Sequence, residues 1–284
     1  MHGAHAFEGG ISPFPAGSTG EYIAAMPPIP GLFAVEQINY STSNGLYDNN
    51  GKKLPIPFET SAFSATTRLL ASYPVNVLGA NLYSQLVVPG VKLHTDVAGH
   101  SERHGGLSNI TLSPAILRWG LAPHSNVTVG LDIALRSGSY SPSRPSVAVG
   151  YTSYQPVVAF RYKDPNGLDV GISNRLLFNS KNSDTGYRSG SGYVGDFTAG
   201  WNFGKWKVGA VGSYLNQFRD DKVNGVDIAN NRARSFSIGP SVVYDAGAFS
   251  VGINYQQGVY AANTAKSNAL WLNVAFPLWA KAPH

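Results

Sequence analysis

The chain has no cysteine among its 284 residues, which excludes disulfide cross-links. That suits an envelope protein built without them and a cytosolic protein equally. Charge is scarce, at 13% of residues, about half the usage of soluble proteins. No long apolar run is present and mean hydropathy is −0.10, which excludes a helical membrane span. A basic run is missing too. The net charge of +5 comes from lysines and arginines scattered singly, with no nucleic-acid-binding motif, so nucleic acid is excluded as a partner. Finally, Met1-His2-Gly3-Ala4-His5-Ala6 has neither a charged nor an apolar signal region. Outer-membrane export needs a signal peptide, so the chain reads as a mature or recombinant form. Ala4-His5-Ala6 fits a leftover cleavage site, or chance.

What is present is alternation. Val127, Val129, Leu131, Ile133 and Leu135 occupy every other position, separated by Thr128, Gly130, Asp132, Ala134 and Arg136. Successive strand side chains point to opposite faces, so this segment carries one apolar wall and one polar wall. The pattern recurs to the C-terminus. Segments of about ten residues with apolar residues out and polar residues in are the signature of a transmembrane β-barrel.

Residues 1–30 lack periodicity and are rich in Pro and Gly; they read as a periplasmic tail or as a segment folded into the lumen as a plug. Twelve candidate strands follow, at about 31–41, 60–73, 78–89, 109–119, 126–137, 151–163, 168–180, 192–203, 206–219, 233–245, 249–260 and 268–279. Their connections alternate. Those at 74–77, 120–125, 164–167, 204–205 and 245–248 are short and rich in turn formers. Those near 42–59, 90–108, 138–150, 181–191, 220–232 and 261–267 are longer and polar. This is the rhythm of periplasmic turns and extracellular loops. An even strand count places both termini on the periplasmic side. The domain plan is therefore an N-terminal segment over 1–30, a barrel over 31–279 and a tail over 280–284.

Aromatic residues support the barrel independently, because membrane barrels carry aromatic girdles at both interfaces. Tyr73, Tyr162, Trp201, Phe203, Trp206, Tyr244 and Phe249 fall near short-turn ends. Tyr40, Phe63, Tyr154, Phe178, Tyr193, Tyr214, Phe218, Phe236 and Tyr255 fall near long-loop ends. Strand centres carry aliphatic residues such as Val129, Leu131, Val158, Ile172 and Val208. The last strand reads Leu270, Leu272, Val274, Phe276 and Leu278 outward, with Trp271, Asn273, Ala275 and Pro277 inward; Trp279 onward looks like an appended tail.

Several stretches resemble the outer-membrane channel family named for the phenol meta-cleavage pathway and linked to uptake of aromatic and other hydrophobic compounds. They are Tyr47-Asp48-Asn49-Asn50-Gly51-Lys52, Ser113-Pro114-Ala115, Tyr187-Arg188-Ser189-Gly190, Ala199-Gly200-Trp201-Asn202-Phe203-Gly204, Asp220-Asp221-Lys222-Val223-Asn224-Gly225, Ser237-Ile238-Gly239-Pro240 and Leu270-Trp271-Leu272. The order is kept over most of residues 31–278. The chain departs from the family after Gly190, where Ser191-Gly192 replaces an acidic pair. The resemblance implies a monomeric twelve-stranded channel for small, largely apolar or aromatic solutes.

Parity then assigns the lumen. The candidate lining and selectivity residues are Arg68, Tyr83, Gln85, Asp132, Arg136, Arg161, Asp169, Arg175, Asp196, Lys207, Arg219 and Arg234, with Glu36 a further inward acid. An Arg or Lys on the lipid face at the midplane costs about 2–4 kcal/mol, which enforces inward placement. Arg118 falls on the outward parity at a strand end, where it can snorkel. Cations outnumber acids. Either they pair across the lumen and brace the barrel, or their surplus draws anions such as aromatic carboxylates, giving weak anion preference. Small inward residues, among them Gly130, Gly171, Gly200, Gly209 and Gly252, leave room inside.

Other chemistry is weaker. His94, His100, Glu102 and His104 share one long loop at metal-ligand spacing but lack a supporting cluster. No histidine lies inward on a strand to serve as base for a serine nucleophile. Gly190-Ser191-Gly192-Tyr193-Val194-Gly195 precedes no helix and so is no nucleotide loop. The reading is an outer-membrane channel for passive diffusion of small hydrophobic or aromatic compounds or their anions. It is not an enzyme, needs no cofactor or metal, and has outer-membrane lipid and lipopolysaccharide as surroundings. The rivals are a lipid-acting barrel enzyme, an adhesion scaffold and a soluble all-β binding protein.

Overall fold

The computed structural model describes residues 6–281. The motif at 4–6 and the tail beyond 281 thus fall wholly or partly outside the described residues. Twelve antiparallel strands form the barrel: β1 (Gly31–Leu46), β2 (Phe58–Val77), β3 (Ala80–Val97), β4 (Thr111–Ala122), β5 (Ser125–Ala134), β6 (Ser153–Lys163), β7 (Leu168–Asn179), β8 (Gly192–Phe203), β9 (Trp206–Gln217), β10 (Arg234–Asp245), β11 (Ser250–Ala262) and β12 (Ala265–Ala280). Each pairs with its sequence neighbours, and β1 closes the ring by pairing with β12 from Gly31↔Ala280 to Leu46↔Ala265. Closure leaves no unpaired edge, the condition under which strands can cross a bilayer. The first and last barrel residues therefore lie at the same end, with the short turns.

The alternation sorts as the sequence requires. Val129 and Leu131 are 40% and 37% exposed on the outer wall, whereas Asp132 is 7% exposed inside. Trp201, Phe203, Trp206 and Phe249 ring the outer wall at the short-turn end; Tyr40, Phe63, Tyr154, Phe178, Tyr214 and Tyr255 ring the opposite end.

Several boundaries shift. The turn expected at 74–77 lies at Leu78–Gly79, whose φ values of 52° and 79° are those of a tight hairpin. A register irregularity between Ser72 and Asn76 carries β2 past Pro74. The expected loop at 90–108 is mostly strand: β3 runs to Val97, turns at Ala98–Gly99, and His100–Leu107 returns along it. The expected loop at 261–267 is a two-residue turn at Asn263–Thr264, with Asn263 in the left-handed region at φ 50°. Trp279 and Ala280 belong to β12, paired with Leu32 and Gly31, so the appended tail begins later than expected. In the loops, Lys222–Val223 pairs with both Tyr187–Arg188 and Val226–Asp227.

Two parity assignments are corrected. Between β3 and β4 the register jumps from Tyr83↔Ile116 to Gln85↔Ser113, so Pro114-Ala115 form a bulge. Past that bulge the phase of β4 inverts, and Arg118, opposite Asn81, faces inward rather than outward. Glu36 is the reverse case. It lies opposite Thr67 and Val274 on the outer wall, where Thr67 Oγ1 donates to its carboxylate at 2.9 Å.

Candidate channel lumen

Residues 6–30 run down the inside of the barrel from the long-loop end to the short-turn end. At the first end, Ala6 N–H donates to the carbonyl of Asn263 and Phe7 N–H to Asp221 at 2.8 Å. Ala6 and Phe7 pack on Leu177, Val194, Leu215 and Ala233. Glu8 accepts from Tyr140 Oη, Asn182 Nδ2 and Thr185 Oγ1. Midway, the backbone N–H groups of Gly17 and Thr19 donate to Asp196 at 2.9 and 3.3 Å. Gln256 Nε2 donates to the Gly17 carbonyl and Gln37 Nε2 to that of Ser18, both at 3.0 Å. Lower still, Ile23 and Ala24 pack on Ala159, and Tyr83 Oη donates to the Pro27 carbonyl at 2.7 Å. A non-repetitive, Pro-rich strip has no ladder for its own backbone, so inward polar side chains take that part. The first described residue thus stands at the opposite end from Ala280.

Two of the small inward residues, Gly171 and Gly252, make room for this strip. A Cβ on Gly171 would stand 3.1 Å from Ile23 Cγ2, and one on Gly252 would stand 3.5 Å from Glu21 Oε2. At these two positions the room left by glycine is filled by the strip, whereas Gly130, Gly200 and Gly209 face neighbouring strands closely instead.

Nine of the twelve sequence-chosen residues face the interior, and most are engaged. Arg161 makes a two-point ion pair with Asp169, 2.9 and 2.8 Å, while Lys207 Nζ lies 3.4 Å from the same carboxylate. Arg175 pairs with Asp132 at 2.6 Å, donates to Gln155, and lies 3.9 Å over the ring of Phe14. Ser113 donates to that Asp132 and receives from Gln85. Arg68 has no ion pair among the described residues and donates to Gln85 at 3.2 Å and, at 3.5 Å, to Gln37. The other three residues lie outside the lumen. Arg136 reaches Asp184 and Ser183 in a loop, Arg234 donates to the Asn49 carbonyl, and Arg219 is exposed beyond β9. Arg136 and Arg219 lie just past the ends of β5 and β9, and Arg234 is the first residue of β10 at the long-loop rim.

Glu21, Gln37 and Gln256 were not singled out from the sequence. Glu21 accepts from Asn254 at 3.2 Å. Gln37 also donates to Asn273 at 2.9 Å. The two glutamines were detectable as polar partners of Ile38 and Tyr255 in the alternation; Glu21, in a segment without period, carried no signal. His104 lies 2.9 Å from Glu102 on the exposed returning strand, and no group of three or more metal-ligating side chains gathers among the described residues.

Beside the lower part of the strip, at the short-turn end, the lumen opens into a cavity of about 860 Å³. Met26, Phe33 and Leu70 form its apolar wall, with Arg118 and Asn126 on the neighbouring hairpin of β4 and β5.

A closed twelve-stranded cylinder with aliphatic and aromatic side chains outside and ion pairs within defines a bacterial outer-membrane β-barrel of the channel class. The chain belongs to the family described as "Putative MetA-pathway of phenol degradation", whose model matches residues 43–274. Its fold is similar to that of the COG4313 outer membrane channel from Pseudomonas putida F1, with 15% identity, TM-score 0.81, and coverage of 91% of this chain and 98% of that one. It also resembles the transport unit of the autotransporter AIDA-I from Escherichia coli, with 10% identity, TM-score 0.53, and coverage of 93% and 99%. The translocator domain of autotransporter NalP from Neisseria meningitidis gives 11% identity and TM-score 0.51, covering 91% and 92%. No curated protein matches the sequence.

Proposed function

We propose that this barrel carries small hydrophobic and aromatic compounds passively across the outer membrane, as a monomer, with the short-turn end facing the periplasm. The observation that carries the reading is the cavity at that end, where an apolar wall meets polar groups inside an otherwise ion-paired lumen. Pockets for small organic ligands have that composition, mostly apolar with a few placed polar groups. Membership of a family described by phenol degradation supports an aromatic cargo. Residues 6–30 narrow the lumen, so the reading combines low ion conductance with apolar solute flux. Lumen charges set a weak preference for anions over cations.

Lipopolysaccharide, not phospholipid, is the barrier to apolar solutes in such membranes, so the test needs lipopolysaccharide in the bilayer. Proteoliposomes containing lipopolysaccharide and this protein should admit phenol and toluene faster than protein-free vesicles. Equal rates would overturn the reading. Reversal potentials in a salt gradient check the charge preference, and cation selectivity would remove it.

A further inference from the structure

The cavity at the short-turn end contains two polar groups that the protein leaves without partners. Arg161 and Lys207, which also line it, are committed to Asp169. The Arg118 side chain makes no hydrogen bond or ion pair among the described residues, and its Nε is buried without an acceptor. Asn126 is 9% exposed, and its Oδ1 is buried without a donor. Arg118 lies opposite Thr128 and Asn126 opposite Gly120, so the two occupy diagonal inward positions of one hairpin, within reach of a single small molecule. Beside them stands the wall of Met26, Phe33 and Leu70, where Met26 and Phe33 pack against the cluster of Leu70, Tyr83 and Ile116.

Buried groups left without partners cost free energy, and a protein that retains a donor and an acceptor beside an apolar wall is matched to a ligand supplying both. We infer that this cavity is a binding subsite for a hydroxylated aromatic carboxylate. Arg118 takes the carboxylate, Asn126 Oδ1 accepts from the ring hydroxyl, and Met26, Phe33 and Leu70 cover the ring. The inference rests on the channel reading above and deepens it by naming a cargo class. A guanidinium is suited to a carboxylate because its fixed fork of N–H donors matches the two oxygens. The exposed Lys163 and Lys205 line the cavity as well, and Arg118 is set apart from them by its buried, unpartnered Nε and by its place beside Asn126 on the β4–β5 hairpin.

The test measures binding to the full-length protein in nanodiscs by calorimetry, with benzoate, its neutral analogue benzyl alcohol, and 3-hydroxybenzoate. Benzoate should bind at least about tenfold tighter than benzyl alcohol, the worth of one charge-assisted contact. 3-Hydroxybenzoate should bind tighter again. Arg118→Gln should abolish the preference for benzoate, Arg118→Lys should restore part of it, and Asn126→Ala should remove only the gain from the hydroxyl. Heat-modifiable electrophoretic mobility verifies that each variant is folded. Equal binding of benzoate and benzyl alcohol by the unmodified protein overturns the inference without reference to any variant. So does a preference that survives in folded Arg118→Gln, and a hydroxyl gain that survives Asn126→Ala overturns the role of Asn126. Aromatic uptake with no carboxylate preference would defeat the subsite alone. Carboxylate binding without uptake would defeat the channel reading alone.

Discussion

Arg161 and Asp169 face each other on adjacent strands β6 and β7 through two parallel hydrogen bonds, and the guanidinium's remaining nitrogen holds the carbonyls of Glu21 and Ile23. One side chain therefore braces the wall and clamps the strip that fills the lumen. Both residues are almost wholly buried, so the pair owes its worth to having every donor and acceptor occupied.

Arg161→Gln should release the strip and weaken the barrel together. Removing one partner of a buried ion pair typically costs about 3–5 kcal/mol. Lys207, 3.4 Å from Asp169, offsets part of that. Urea unfolding in lipid vesicles should show the lower stability, and planar-bilayer recordings should show a higher conductance.

Gly171→Val tests occupancy of the lumen without touching a charge. The new side chain would meet Ile23 Cγ2, and overpacking of this kind costs about 1–3 kcal/mol. The strip is the softer partner, so conductance should rise while the barrel keeps its heat-modifiable mobility. Unchanged conductance would mean that the strip does not limit ion flow.

Leu131 and Asp132 are sequence neighbours on opposite walls. Leu131→Arg should destabilise the barrel by about 2–4 kcal/mol, the cost of a cation on the lipid face near the midplane. Asp132→Asn should instead leave the exterior intact and loosen Arg175, its partner at 2.6 Å. Refolding titrations of both variants in lipid separate the two effects.

Asp221 accepts hydrogen bonds from the backbone of Phe7 and Gly190 and from Tyr187, Gln217 and Asn231. Asp221→Asn points an amide N–H₂ at groups that, the Tyr187 hydroxyl apart, can only donate from the atoms they present. A buried group left unsatisfied costs about 1–3 kcal/mol, so hydrogen exchange at Phe7 and Gly190 should accelerate markedly.

The adjacent carboxyls of this loop are pushed in opposite directions. Burial raises Asp221, whereas the two-point contact from Arg232, 3.0 and 2.7 Å, holds Asp220 below its ordinary 3.8. A depressed carboxyl stabilises the fold fully above its unfolded value, and that support disappears as pH falls through the lowered folded value. Acid titration of the Asp220 carboxyl carbon by NMR should give a midpoint below 3.8, and Arg232→Gln should move it back up.

The outer wall was legible because each of its residues meets the same solvent. Leu270 and Leu278 face lipid whatever their neighbours do, and a period of two is enough to find them. Parity failed where the count of residues between turns changed. The bulge at Pro114-Ala115 inverted Arg118, and the assignment of Glu36 to the interior ignored that Ile38 and Tyr40, two and four residues on, fix its face as outward. The hairpin of β3 with His100–Leu107 was missed because its returning half is polar on both faces, although Val91, Leu93 and Val97 alternate with Lys92, His94 and Asp96 on the outgoing half.

By itself, then, the amino-acid order determined the closed sheet, its twelve crossings and which face meets the bilayer, since each follows from local periodicity and turn chemistry. Only the tertiary structure decided what occupies the interior. Residues 6–30 have no period, and their place depends on partners more than a hundred residues away, Arg161 and Asp196 among them. The same holds for Arg118 and Asn126: a side chain's lack of a partner is a property of everything packed around it, which no window of sequence contains.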